Sequence, residues 1–286
     1  MLQKRIIVSL EVRNGRAVRG ARRSDLYDLG DPAELAALYA ADGADEIVLI
    51  DASAADEGRR ALLDTVRRAA ERLFVPLTVA GELRDTDELN EVLRAGADKV
   101  ALGTAALERP ELVGEAAERF GSTALVVAID AKIERRKGEM SADHASVGVL
   151  DEQLDQLDWY RVFTHAGTQA TPRNALAWAQ HAAALGAGEI LLANIEHDGT
   201  RSGYDLELIA RVVERVQVPV IASGGAGSAE HMRDVFIIAG ADAALAGQMF
   251  HDGTTTVGRV KQALASAGVP VRATAQRSVA PELPLP

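Results

Sequence analysis

The chain has no cysteine among its 286 residues, so neither a disulfide framework nor a thiolate metal site can hold the fold or carry chemistry. Aromatic residues make up only 4%, too few for the stacking platforms that grip single-stranded nucleic acid. There is no long basic stretch, and the formal net charge of -11 argues against a nucleic-acid polyanion as the main partner. Long apolar runs are missing as well. The opening residues 1–8 form a short apolar run broken by Lys4 and Arg5, too brief for a signal peptide or a membrane span. These absences lead us to expect a cytoplasmic protein that does not engage a membrane.

What is present is an internal repeat, and it decides the fold. Four segments recur in the same order: residues 5–11 match 124–130, 43–51 match 186–194, 75–81 match 218–224, and 96–103 match 240–247. Each is a continuous apolar run of strand length, the pattern of a strand buried on both faces. Helical spacing fills the gaps, over 32–42, 58–72, 86–95, 109–119, 173–185, 205–216, 229–239 and 256–267. Asp31-Pro32 and Thr171-Pro172 read as helix starts, since proline fits a first turn. Strict alternation predicts a single (β/α)₈ barrel over residues 1–272, made of two homologous half-barrels; a doubly wound open sheet is the poorer alternative. Residues 133–171 are too long for an ordinary connection and read as an inserted loop, in which residues 160–164 alternate like one arm of a hairpin. Residues 273–286, punctuated by proline, read as a disordered tail.

Barrels of this kind carry their chemistry at the carboxyl ends of the strands. Ser223-Gly224-Gly225-Ala226-Gly227 follows the seventh strand and opens a helix, so main-chain N–H groups could approach an anion there. Gly247-Gln248, after the eighth strand, would complete a phosphate cradle; the alternative is that these glycines only make tight turns. The first half has Gly81-Glu82 and Gly103-Thr104 at the matching places. Glu82 sets a carboxylate where an anion would sit, so this half reads as altered unless Glu82 turns away or pairs with Arg19, Arg22 or Arg23. Glu11 and Asp130 end opposite strands and suit general acid–base work, or else cap or pair with a neighbour such as Lys132. The loop Asp198-Gly199-Thr200 to Asp205 brings a carboxylate, hydroxyls and turn glycines to the same mouth, with Asp51 and Asn194 nearby. Only His197 stands beside them, so no metal site is expected, and nothing calls for a cofactor.

With these motifs in order, from Lys4-Arg5-Ile6-Ile7 through Gly96-Ala97-Asp98-Lys99, Val127 to Lys132, Asp198 to Asp205 and Ile221 to Gly227, the chain resembles the cyclase subunit of imidazole glycerol phosphate synthase, from histidine biosynthesis. The resemblance runs from Leu2 to Arg272. It implies a lyase-cyclase that uses ammonia to cleave and close a ribulosyl aminoimidazole-carboxamide nucleotide phosphorylated at both ends. A glutaminase subunit on the amino-terminal face would supply the ammonia through a charged gate of Arg5, Glu46, Lys99 and Glu189. Asp130 and Glu11 would be the acid–base pair. Arg19, Gly81, Gly103, Thr104, Asp198, Gly199, Ser223, Gly224, Gly225, Gly247 and Gln248 would bind substrate and its phosphates. The chain departs from the family at Glu11 for aspartate, Arg19 for lysine, Glu82 for glycine, Gly103 for asparagine and Ala193 for threonine. Several of these departures fall on the first-half phosphate site, which suggests as an alternative a paralogue with a changed substrate or a non-catalytic, glutaminase-binding role.

Overall fold

The computed structural model describes residues 2–19, 27–52, 55–134 and 159–273, with the side chains of residues 55–59 left aside. The eight apolar runs form eight parallel strands: β1 (Arg5–Arg13), β4 (Glu46–Asp51), β5 (Leu77–Ala80), β6 (Lys99–Leu102), β7 (Leu125–Glu134), β10 (Glu189–Asn194), β11 (Val220–Ser223) and β12 (Ala243–Ala246). They pair in that order, and β12 returns to β1 in parallel while β7 pairs with β10, closing the barrel. The other four strands are additions at the mouth. β2 (Arg16–Arg19) and β3 (Tyr27–Gly30) form an antiparallel hairpin on β1; β8 (Trp159–Thr164) and β9 (Gln169–Asn174) form another on β7. Each half-barrel thus begins with a long strand that carries a hairpin past the mouth.

Helices α1 (Pro32–Asp42), α2 (Ala55–Ala70), α3 (Thr86–Arg94), α5 (Glu111–Phe120), α6 (Ala175–Leu185), α7 (Leu206–Val213), α8 (Ala229–Ile237) and α10 (Val257–Ser266) surround the strands. Asp31, Asp85, Asn174, Asp205, Ser228 and Thr256 cap six of them by accepting first-turn N–H groups. Asn174, not Thr171, starts α6. Pro172 lies in β9, at the edge of the sheet, where a missing N–H breaks no ladder bond. Two one-turn helices, α4 (Thr104–Glu108) and α9 (Gln248–His251), follow β6 and β12 at equivalent places in the two halves.

The repeat has a physical basis at the amino-terminal ends of the strands. In three of its four Gly-Ala-Xaa turns the aspartate accepts an N–H from the start of the neighbouring strand: Asp45 from Ile6 at 2.8 Å, Asp98 from Leu77 at 2.8 Å and Asp242 from Val220 at 3.1 Å. The fourth turn has Gly188, where a Cβ would lie 2.0 Å from the Ser122 carbonyl oxygen. A side chain cannot fit, so glycine replaces the aspartate.

Two apolar clusters follow from strand alternation. Ile6, Val8 and Leu10 of β1 face outward into the large shell under the helices; Ile7, Val48, Ala101, Val126, Ile221, Ala243 and Leu245 form a separate cluster inside the barrel. Each fully buried Ile or Leu of this kind contributes about 1.5–3 kcal/mol to folding. The inward column fixes everything above and below it, because residues two apart on a strand share a face. No helix among the described residues is long and apolar enough to cross a membrane.

Candidate active site and gate

Arg5, Ile7, Ser9 and Glu11 occupy one face of β1, running from the amino-terminal end to the mouth. The same alternation carries Val126 to Asp130 on β7, Lys99 to Gly103 on β6 and Glu189 to Ala193 on β10. Charge at the bottom and chemistry at the top therefore belong to the same inward columns, with the apolar interior cluster between them.

At the bottom the four charged residues close a ring. Arg5 Nη1 contacts Glu46 Oε2 and Glu189 Oε1, both at 3.0 Å; Lys99 Nζ contacts the same two carboxylates at 2.9 and 3.1 Å. Two cations and two anions make it neutral. Glu46, only 1% exposed, also accepts the Thr78 hydroxyl at 2.6 Å. Burying charge is costly unless each group is paired and hydrogen-bonded, and this ring meets that condition. Leu2 precedes β1, Phe74 precedes β5, and Ile237 and Ile238 close α8 ahead of β12, so four exposed apolar residues lie toward the amino-terminal ends of the strands.

At the mouth, Asp130 and Glu11 both hold protons more tightly than ordinary carboxyls. Burial, followed by the negative charge of Asp198, pushes Asp130 up to about 6. Glu11 is more exposed, yet partial desolvation and then Asp198 raise it as well. Asp198 is itself raised by burial, against the opposing hydrogen bond from the Gly199 N–H. Asp198 thus acts electrostatically on both acids, a role its place in a loop did not reveal. Lys132 lies 4.0 Å from Glu196 and 5.0 Å from the Phe163 ring, so its charge is directed toward Glu196. Among the described residues no group of three or more histidines, aspartates or glutamates is placed to hold a metal.

The loop that carries Asp198 is pinned on three sides. Tyr204 donates to the Leu245 carbonyl at 3.0 Å, Gly203 N–H donates to Gly225 O at 2.8 Å, and Arg201 pairs with Asp252. Its hydroxyls are used internally: Thr200 donates to the His197 carbonyl at 2.6 Å, and Ser202 lies 2.7 Å from Thr200. Asn194 is also structural, binding Asp205 at 2.7 Å and the Glu196 N–H at 2.8 Å.

Across the mouth, the second-half glycine loop is tightly shaped. Gly224 and Gly225 have φ of 84° and 97°, and a Cβ at Gly225 would stand 2.0 Å from the Gly203 carbonyl oxygen. Only glycine fits there. Ser223 ends β11 beside them. Gly227 N–H donates to His231 Nδ1 at 3.2 Å, which withdraws it from any anion, whereas Gly224 and Gly225 are buried against the loop that carries Asp198. Gly247 caps α9 with no side-chain hydrogen bond, and exposed Gln248 follows it, its carboxamide near Gly199. His251, in the same turn, sits between Tyr39 Oη at 2.7 Å and Ser9 O at 2.9 Å. A carbonyl can only accept, so Nε2 carries the proton and Tyr39 donates to Nδ1. Burial lowers His251 to about 4, with the charge of Arg19 adding to the effect, so the ring is neutral and ties α9 to β1.

The first-half counterpart has the same frame. Gly103 caps α4 without a side-chain bond, Thr104 opens the turn, and Gly81 lies against Asp51. Glu82, the residue that made this half read as altered, directs its carboxylate to Arg84 Nη2 at 2.7 Å, with both side chains more than half exposed. Arg19 lies over the Tyr27 ring at 5.5 Å. Arg22 and Arg23 fall outside the described residues.

The histidine biosynthesis protein family model matches residues 5–256. Three relatives, each called imidazole glycerol phosphate synthase subunit HisF, align over 95% of this chain. The protein of Methanopyrus kandleri is 50% identical with 98% of its own length covered, that of Acidobacterium capsulatum 49% with 99%, and that of Geobacillus thermodenitrificans 48% with 100%. The chain belongs to the HisF family of histidine biosynthesis proteins.

Proposed function

We propose that the chain is the cyclase subunit of an imidazole glycerol phosphate synthase, acting with ammonia on the doubly phosphorylated ribulosyl aminoimidazole-carboxamide nucleotide. One observation carries this reading: a neutral charged ring at one end of the barrel and raised carboxyls at the other, joined by an apolar interior. That is the arrangement needed to admit a small neutral amine and exclude ions. Asp130 and Glu11 are the acid–base pair, with Asp198 setting how tightly each holds its proton. Gly224, Gly225, Gly247 and Gln248 take one phosphate, and Gly81, Gly103, Thr104 and Arg19 the other. Ser223 and Gly199 line the substrate between them. The apolar residues of the amino-terminal face support docking of a glutaminase subunit there, and the work is cytoplasmic. The pairing of Glu82 with Arg84 and the near-complete coverage of the relatives favour this reading over a paralogue with a changed substrate.

The reading is tested by supplying the purified chain with the ribotide and ammonium salt, which bypasses a glutaminase. Imidazole glycerol phosphate and the aminoimidazole carboxamide ribotide should form in equal amounts; absence of both from a folded chain would refute it. A second expectation concerns Gly103. Its φ of -106° is not in the left-handed region, and a Cβ would meet nothing nearer than 3.9 Å. Gly103→Asn is therefore expected to fold normally and, by adding an amide donor, lower KM for the ribotide about tenfold, as steady-state kinetics would measure.

A further inference from the structure

The β8–β9 hairpin ends in a turn that is held from outside. His165 and Ala166 both have φ of 52° and Gly167 has 77°. Residues with a Cβ seldom keep this conformation without support, yet two of the four such residues in the described chain are here. The turn closes on itself through Thr168, whose N–H donates to Thr164 O at 3.1 Å and whose hydroxyl donates to His165 O at 2.7 Å. Two contacts then wedge it against the mouth. His165 N–H donates to Thr104 Oγ1 at 2.9 Å, across 61 positions of sequence, and a Cβ at Gly167 would lie 3.3 Å from Ile195. The tip is thereby set between the loop after β6 and the loop after β10.

The bond to Thr104 constrains chemistry as well as shape. A hydroxyl has one proton to donate and two lone pairs. The His165 N–H occupies a lone pair, and among the described residues no acceptor takes the Thr104 proton.

We propose that the hairpin tip is a positioning element for the first-half phosphate: the main-chain N–H of His165 holds Thr104 Oγ1 from the hairpin side, so the hydroxyl proton is directed to a phosphate oxygen at Gly103-Thr104. This rests on the reading above that a phosphate group binds there. The second half has no counterpart, since Gly247-Gln248 opens α9 without a hydroxyl, so the two phosphates are held by different donors.

The experiment measures KM and kcat of the full chain with ammonium salt and the ribotide. His165→Val strains a left-handed position with a β-branched residue and displaces the N–H; KM should rise about tenfold with kcat within about twofold. His165→Gly takes the same backbone conformation freely, keeps the N–H and should restore KM. Ile195→Ala, which removes the support under Gly167 without straining the turn, should raise KM in the same direction and serves if His165→Val does not fold. In a Thr104→Val background, the tip substitutions should add nothing further. A rise with Thr104→Val but none with His165→Val or Ile195→Ala, or full additivity, would overturn the positioning role alone. No rise with Thr104→Val would overturn the phosphate site and the proposal with it.

Discussion

Asp130→Asn is expected to abolish turnover while making the fold more stable at neutral pH. A positioned acid or base contributes about 10²–10⁴-fold to rate, so kcat should fall by that order. The stability gain follows from linkage. The unfolded carboxyl titrates near about 4 and the folded one at about 6, so in that window the native state binds more protons. Stability falls as pH rises through it, and the full penalty is present above it. Asparagine has no charge to bury, so at pH about 7.5 the variant should gain about 1–3 kcal/mol in urea unfolding, and nothing well below pH about 4. In the native enzyme the same group should give an acid limb in kcat/KM near 6 if it works as the base. A limb falling above that value would make it the acid. A less stable variant at neutral pH would contradict the assigned burial.

Glu46→Gln should have the second largest effect, on both stability and coupling. Glu46 takes Arg5, Lys99 and Thr78 as donors while almost wholly buried. Glutamine keeps the volume but leaves two cations facing one anion. Breaking one side of a buried ion pair costs about 3–5 kcal/mol, because the remaining charge is uncompensated. Urea unfolding should register that loss. With a glutaminase present, glutamine-driven turnover should fall more than ammonium-driven turnover, since the ring lies only on the former route. Equal losses would mean that the ring is a structural clamp.

Much of this was legible in the sequence because strand alternation links distant functions. Arg5 and Glu11 are six positions apart on a strand, as Lys99 and Gly103 are four apart, so reading one inward residue gives the others. The Gly-Ala-Asp turns were equally readable, since each aspartate answers one orphan N–H. Asn14-Gly15, with φ of 49° and 76°, is the turn of the β1–β2 hairpin, a local signal that lies outside the apolar repeat. What could not be read depends on side-chain direction in loops. Glu82 reads as a blocked cradle until its carboxylate is seen at Arg84. Gly227 reads as part of the cradle until His231 is seen to take its N–H. The tie between His165 and Thr104 joins two loops that no periodicity connects.

Both halves of the mouth are expected to hold a phosphate despite Glu82 and Gly103. A crystal structure of the Asp130→Asn variant with the ribotide trapped in the mouth tests it most directly. We expect one phosphate at Gly81, Gly103 and Thr104 and the other at Gly224, Gly225 and Gly247, with the sugar chain spanning Glu11 and residue 130. A ligand anchored only at the second-half loop, with its other phosphate in solvent, would contradict the account.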